Sequence, residues 1–151
     1  MASEFHIRNV FLADDDDDDQ LIFIEALAAV APDIKCETAF NGKEALEKLN
    51  ELRVLPDLIF LDINMPLMDG FECLIRIKQQ KDLFRIPVII YSTAVADSSV
   101  ITAQELAAHA YLTKPSEHKS LEEKLKKILS TDFSIPSPRI RIFSHHHFFV
   151  D

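Results

Sequence analysis

Asp57-Leu58-Ile59-Phe60-Leu61-Asp62-Ile63-Asn64-Met65-Pro66 contains an unbroken apolar run, Leu58 to Leu61, that stops at a carboxylate. A short apolar run bounded by turn signals has the length and composition of a parallel strand buried on both faces. Pro66 and the Asp69-Gly70 pair follow closely and mark a turn. In open α/β sheets, chemistry sits just beyond the carboxyl ends of the strands. Asp62 therefore stands where a nucleophile or a metal ligand belongs. Asp is also a favoured turn residue, so the other strand ends have to decide between the two roles.

Near the N-terminus, Asn9-Val10-Phe11-Leu12-Ala13 reads as a strand and runs straight into six aspartates, Asp14 to Asp19. Charge runs are usually solvated faces or disordered tails. This one lies between a strand and the helical pattern Leu21, Ile22, Ile24, Glu25, Ala28, with no room for a linker. Crowded carboxylates repel, and a cation that gathers some of them relieves the repulsion. Hard divalent ions such as Mg²⁺ take oxygen ligands. Asp14 and Asp15, at the strand end, are the predicted ligands. Asp17 to Asp19 are expected to cap the first helix and face its positive end.

Two more strand ends complete the set. Pro87-Val88-Ile89-Ile90-Tyr91-Ser92-Thr93 ends in two hydroxyls, which can donate to a phosphoryl oxygen or cap the next turn. Ala110-Tyr111-Leu112-Thr113-Lys114-Pro115 ends in a lysine followed by proline. A lone Lys is nearly always a surface charge. A lysine, a carboxylate, an acidic cluster and hydroxyls at the strand ends of one sheet form a much more specific combination than any one of them.

On these residues the chain resembles a receiver domain of the two-component response regulators, of the stand-alone type. The carriers are Val10-Phe11-Leu12-Ala13-Asp14-Asp15, Leu61-Asp62-Ile63-Asn64-Met65-Pro66-Leu67-Met68-Asp69-Gly70, Ile90-Tyr91-Ser92-Thr93-Ala94 and Tyr111-Leu112-Thr113-Lys114-Pro115. The resemblance covers residues 7–130 and implies a role for each. Asp62 resembles the phosphoacceptor. Asp14 and Asp15, with Asp62 and the Asn64 backbone carbonyl, resemble the Mg²⁺ ligands. Ser92, Thr93 and Lys114 resemble the phosphoryl-binding groups, and Ser92 with Tyr111 the switch pair, in which the aromatic turns inward when Ser92 moves. The Lys114–Pro115 bond is expected to be cis. A sensor histidine kinase or phosphotransfer protein is the implied donor. It would dock near the first helix, where Leu21, Phe23 and Ile24 are candidates for an exposed apolar patch. The implied output face is residues 97–129. Departures from the pattern are the six-aspartate run, Ala13, where a bulkier aliphatic is common, and Ala107-Ala108-His109-Ala110, where a Gly-Ala pair is usual.

The expected fold is α/β: a flavodoxin-like, five-stranded parallel sheet of order 2-1-3-4-5 with helices on both faces. Strands are predicted near 8–13, 34–40, 57–61, 87–91 and 110–112, and helices near 17–30, 42–53, 70–82, 97–108 and 117–129. The alternation Ile34, Cys36, Thr38, Phe40 marks the second strand as an edge with one wetter face. Residues 1–130 form the expected receiver domain and 131–151 a tail of uncertain structure with no output domain. In that tail Arg139-Ile140-Arg141-Ile142-Phe143 alternates as a short strand would, Phe148-Phe149-Val150 can dock in a groove, and His145-His146-His147 is a weak metal candidate.

The chain has 151 residues and a formal net charge of −9. That charge opposes nucleic-acid binding, which demands Lys and Arg. Cys36 and Cys73 fall in apolar elements and are expected to be buried free thiols. No apolar run approaches the ~18 residues of a membrane span, and no signal-peptide pattern opens the chain, so a cytoplasmic monomer or weak dimer is expected. The rival enzyme class is a haloacid dehalogenase-like aspartyl-phosphate phosphatase, in which Asp14 would be the nucleophile. Against it, the Met65-Pro66 to Gly70 segment has no place in that family.

Overall fold

The computed structural model describes residues 5–93 and 96–144. Strands β1 (Asn9–Ala13), β2 (Lys35–Ala39), β3 (Leu58–Leu61), β4 (Val88–Ser92) and β5 (Ala110–Thr113) alternate with helices α1 (Asp17–Val30), α2 (Gly42–Glu51), α3 (Gly70–Lys78), α4 (Asp97–Glu105) and α5 (His118–Leu129); a short β6 (Arg141–Phe143) follows. All pairings are parallel, and the sheet order is β2-β1-β3-β4-β5-β6.

The period-2 alternation of each strand divides the core into two layers. Phe11, Ile59, Leu61, Val88, Ile90 and Tyr111 face α2, α3 and α4. Val10, Leu12, Phe60, Ile89, Tyr91 and Leu112 face α1 and α5. β3 and β4 are buried along their whole length, which is why they read as continuous apolar runs. β2, at one edge, alternates between exposed and partly buried positions, as its sequence pattern predicts. Cys36 and Cys73 are free thiols; Cys73 is buried as expected, Cys36 on the edge strand only partly so, and desolvation pushes both up to about 12. No helix among the described residues is long and apolar enough to cross a membrane.

Side-chain caps set where three helices begin. Asp16, Asn41 and Asp69 accept from the backbone N–H groups of Asp19, Glu44 and Glu72 at 2.9, 2.8 and 2.8 Å. Such caps satisfy donors that a helix start leaves unpaired. α4 ends at Glu105, earlier than the sequence pattern suggests. Ala107 there adopts a left-handed φ of 67°. Its N–H donates to Gln104 O at 3.1 Å, and the Ala108 N–H to Ala103 O at 2.9 Å. This is the Schellman closure, usually built on glycine.

The expected order 2-1-3-4-5 is present, and the tail adds a short sixth strand at its edge. β6 pairs with β5 in the register Ala110↔Arg141, Tyr111↔Ile142, Leu112↔Phe143. α5 is the crossover that a parallel neighbour requires. Ile140 is buried, and its N–H donates to Gln104 Oε1 at 3.0 Å. The Arg141 guanidinium lies 5.3 Å from the Phe133 ring centroid, and that ring meets His109 edge-on at 6.2 Å. His145 to His147 and Phe148 to Val150 lie outside the described residues.

One residue of the expected docking patch is displaced. Phe23 is fully buried, with its ring centroid 4.9 Å from Phe60 and 5.5 Å from Tyr91. The exposed apolar side chains of α1 are Leu21 and Ile24.

Candidate functional site

Sheet register brings the strand ends together. Ala13 pairs with Leu61, so the next residues, Asp14 and Asp62, leave adjacent strands side by side. Backbone bonds continue the ladder into the site: Asp14 N–H to Ala39 O at 3.0 Å, Asp62 N–H to Ala13 O at 2.9 Å and Lys114 N–H to Ser92 O at 2.8 Å. Each functional side chain therefore projects from backbone held by the sheet.

The centre of the site is Lys114. Its Nζ lies 2.8 Å from Asp14 Oδ2, 2.9 Å from Asp19 Oδ2 and 3.1 Å from Asp62 Oδ2. The contacts to Asp19 and Asp62 are hydrogen bonds. The contact to Asp14 is an ion pair without hydrogen-bond geometry, which leaves the buried Asp14 Oδ2 without a hydrogen bond. Beneath the ammonium lies the Tyr91 ring, its centroid 5.2 Å away. Asp14 is fully buried and Asp62 nearly so; Asp15, Asn64 and Thr93 are exposed.

These surroundings displace the titrations. Burial lifts the Asp14 carboxyl to about 6, against the opposing pull of Lys114 and the Asp16 N–H, and the Asp62 charge adds to the lift. Burial alone would depress Lys114, but its close contacts with Asp14 and Asp19 and the charges of Asp14 and Asp62 prevail and hold the ammonium above its ordinary range. Burial also raises the Tyr91 hydroxyl.

Carboxylate oxygens of Asp14, Asp15 and Asp62 lie within 4.8 Å of one another. Oxygen-only donors with a formal excess of negative charge suit a hard divalent cation. The buried Asp14 Oδ2, which receives charge from Lys114 but no hydrogen bond, is the kind of atom such an ion would satisfy. The residues present therefore fit the Mg²⁺ that the sequence resemblance implies.

The loop after β3 is clamped by the chain's only two glycines. The Gly70 N–H donates to Ile63 O at 2.8 Å. A Cβ at Gly70 would collide with the Asp62 carbonyl oxygen and lie 2.8 Å from the Asp62 carbonyl carbon. The Gly42 N–H donates to Met68 O at 3.0 Å, and a Cβ there would sit 2.5 Å from that oxygen. Asn64 belongs to this loop, as does Leu67, which is exposed and left-handed at φ 65°.

Ser92 is fully buried at the end of β4. The Tyr111 hydroxyl is hydrogen-bonded with Ser99 and Ser92. Tyr111 itself is fully buried, so the proposed switch aromatic is already turned inward here. The expected cis bond is corrected: the described residues contain no cis peptide, so Lys114–Pro115 is trans. Trans is the favoured form of an X–Pro bond by about 0.5–1 kcal/mol. Here it is compatible with both the Lys114 backbone bond to Ser92 and the three ion pairs.

Two site residues escaped sequence reasoning. Gln20, buried behind the acidic run, donates from Nε2 to Asp14 O at 2.7 Å and Ala39 O at 2.9 Å. Asp19, expected with Asp17 and Asp18 to cap the first helix and face its positive end, instead reaches Lys114, while the cap is Asp16. The available signal was the N-cap register: with Asp16 as cap, Asp19 is the third helical residue.

Comparison with known proteins agrees with this geometry. Residues 10–126 match the family model described as response regulator receiver domain. Among curated proteins, the chain is 44% identical over 75 residues to response regulator Rcp1 of Synechocystis, covering 50% of this chain and 51% of Rcp1. The chain spans between 51% and 26% of the length of the first curated relatives it matches. Among solved structures, the phosphorylated cyanobacterial phytochrome response regulator RcpA superposes with a TM-score of 0.74 at 32% identity, over 80% of this chain and 90% of RcpA. The Mn²⁺-bound form of Rcp1 gives a TM-score of 0.73 at 32% identity, over 86% of this chain and 99% of Rcp1.

Proposed function

The chain belongs to the response regulator receiver domain family, and on that premise we propose that Asp62 accepts a phosphoryl group from a phosphohistidine on a sensor histidine kinase or phosphotransfer protein, in a Mg²⁺-dependent reaction. The observation that carries this is the nearly buried Asp62 carboxylate, 3.1 Å from the Lys114 ammonium and grouped with Asp14 and Asp15.

Asp62 attacks phosphorus and forms an aspartyl phosphate, an accepted form of covalent catalysis. Charge in the transition state spreads over the equatorial phosphoryl oxygens, so the protein's work is positioning and electrostatic stabilisation. Lys114 neutralises one oxygen, and Ser92 and Thr93 supply hydroxyl donors to others. Asp14, Asp15, Asp62 and the Asn64 carbonyl would hold Mg²⁺, which supplies further positive charge for the meeting of two anions. The protein assists its own phosphorylation and dephosphorylation and is otherwise a signalling protein. Movement of Ser92 toward the phosphoryl group would be felt by Tyr111 through their hydrogen bond, biasing the surface of residues 97–129 toward a protein target. On this reading the protein works in the cytoplasm. The phosphatase alternative has no support: residues 10–126 match the receiver-domain family.

Intact mass after incubation with acetyl phosphate and Mg²⁺ tests the proposal. A phosphate-sized adduct is expected on the wild type and none on Asp62→Asn. An adduct that persists in Asp62→Asn, or none on folded wild type, would overturn it.

A further inference from the structure

We propose that Asp19 is a built-in brake on phosphoryl capture, a residue of α1 that occupies one donor of Lys114 and sets a fixed negative charge beside the ammonium that must meet the phosphoryl group. This rests on the roles of Asp62 and Lys114 proposed above. Lys114 Nζ donates to Asp19 Oδ2 at 2.9 Å across 95 positions of sequence. An ammonium has three donors. With Asp14 at 2.8 Å and Asp62 at 3.1 Å, three carboxylates crowd around it.

The placement of Asp19 follows from the helix start. Asp16 caps α1 by accepting from the Asp19 N–H, which fixes the register that turns Asp19 toward Lys114. Lys114, by contrast, does not depend on Asp19 for its position. Its backbone is tied to Ser92, its Nζ lies over the Tyr91 ring, and two other carboxylates hold the ammonium. Removing the Asp19 charge therefore leaves the lysine in place and frees one donor.

The chemical consequence concerns the approach of the donor. With acetyl phosphate, an Asp62 oxygen forms a bond to phosphorus while the bond from phosphorus to the acetyl oxygen breaks. The electron pair leaves with acetate, and no proton is required. The incoming dianion meets a lysine already shared among carboxylates and, in Asp19, one extra negative charge. The Asp19 side chain is 35% exposed, so solvent moderates its effect. Neutralising it is expected to speed capture by about three- to fivefold.

The test is the rate of adduct formation by intact mass, with acetyl phosphate and Mg²⁺, on wild type, Asp19→Asn, Asp19→Glu and Asp62→Asn. Asp19→Asn should be faster at low salt, and its advantage should shrink at about 1 M salt, where the Debye length falls to ~3 Å. Asp19→Glu, which restores the charge, should restore the slow rate. A purely structural role for Asp19 would slow both variants or change the rates independently of salt. Equal or slower capture by Asp19→Asn, with a normal adduct on wild type, overturns the brake alone. Absence of an adduct on wild type overturns the brake together with the proposed function.

Discussion

Replacing Asp14 by Asn is expected to stabilise the metal-free protein near neutral pH. Asp14 is fully buried at the end of β1, and burial lifts its carboxyl from 3.8 to about 6. The folded state therefore holds a proton that the unfolded chain has already released. Stability is greatest below 3.8, declines as pH rises to about 6, and is level above that. About two pK units at 1.36 kcal/mol each make the charged form cost roughly 3 kcal/mol near pH 7. Asn keeps the acceptor for the Asp16 N–H, now 3.0 Å from Asp14 Oδ1. It also turns an amide toward Lys114, and about 1 kcal/mol of the gain is lost to that poorer contact. The net expectation is a gain of about 2 kcal/mol, or several degrees in Tm. Urea unfolding in the presence of a chelator, at about pH 7 and about pH 4, measures it, and the gap between variant and wild type should close on acidification. Millimolar Mg²⁺ should raise the wild type more than the variant, because only the wild type retains all three carboxylates. A variant no more stable than wild type near pH 7, or a gap that ignores pH, would refute the assignment of this cost to a buried charge.

Three further outcomes follow from the geometry. Gly70→Ala places a Cβ against the Asp62 backbone rather than against a movable side chain; urea unfolding should show a loss of about 1–3 kcal/mol, and intact mass a slower phosphoryl capture. Ala107→Gly relieves a left-handed alanine at the end of α4 and should add about 0.5–1 kcal/mol, less than the intrinsic strain because glycine also loosens the unfolded chain; no gain by the same measurement would place the strain elsewhere. Ile140→Ala removes a buried anchor of β6 and should lose about 2–3 kcal/mol, whereas a loosely packed tail would lose almost nothing.

Much of the architecture was legible because buried parallel strands leave a local signature. Leu58 to Leu61 and Val88 to Tyr91 are apolar on both faces, so the strands and their order of appearance could be read directly. The wetter alternation of Lys35–Ala39 likewise marked an edge. Errors arose where partners distant in sequence decide. Phe23 sits in an apolar stretch whose every position suits a helix, and only the rings of Phe60 and Tyr91 determine that it points inward. The alternation of Arg139 to Phe143 suggested a strand, but its partner, β5, is chosen by docking of the tail.

By itself, the sequence determined the strand-end chemistry: an aspartate after β3, an acidic run after β1, hydroxyls after β4 and a lysine after β5, each placed by an apolar run that must stop where the sheet meets water. The tertiary structure alone decided how those groups divide the labour. Six consecutive aspartates are indistinguishable as letters, yet Asp14 is buried, Asp15 stays exposed, Asp16 caps α1 and Asp19 turns back to Lys114. The physical reason is that helix register and sheet register fix directions in space. An ammonium supplied from 95 positions further along the chain then selects, among equal carboxylates, those within its reach.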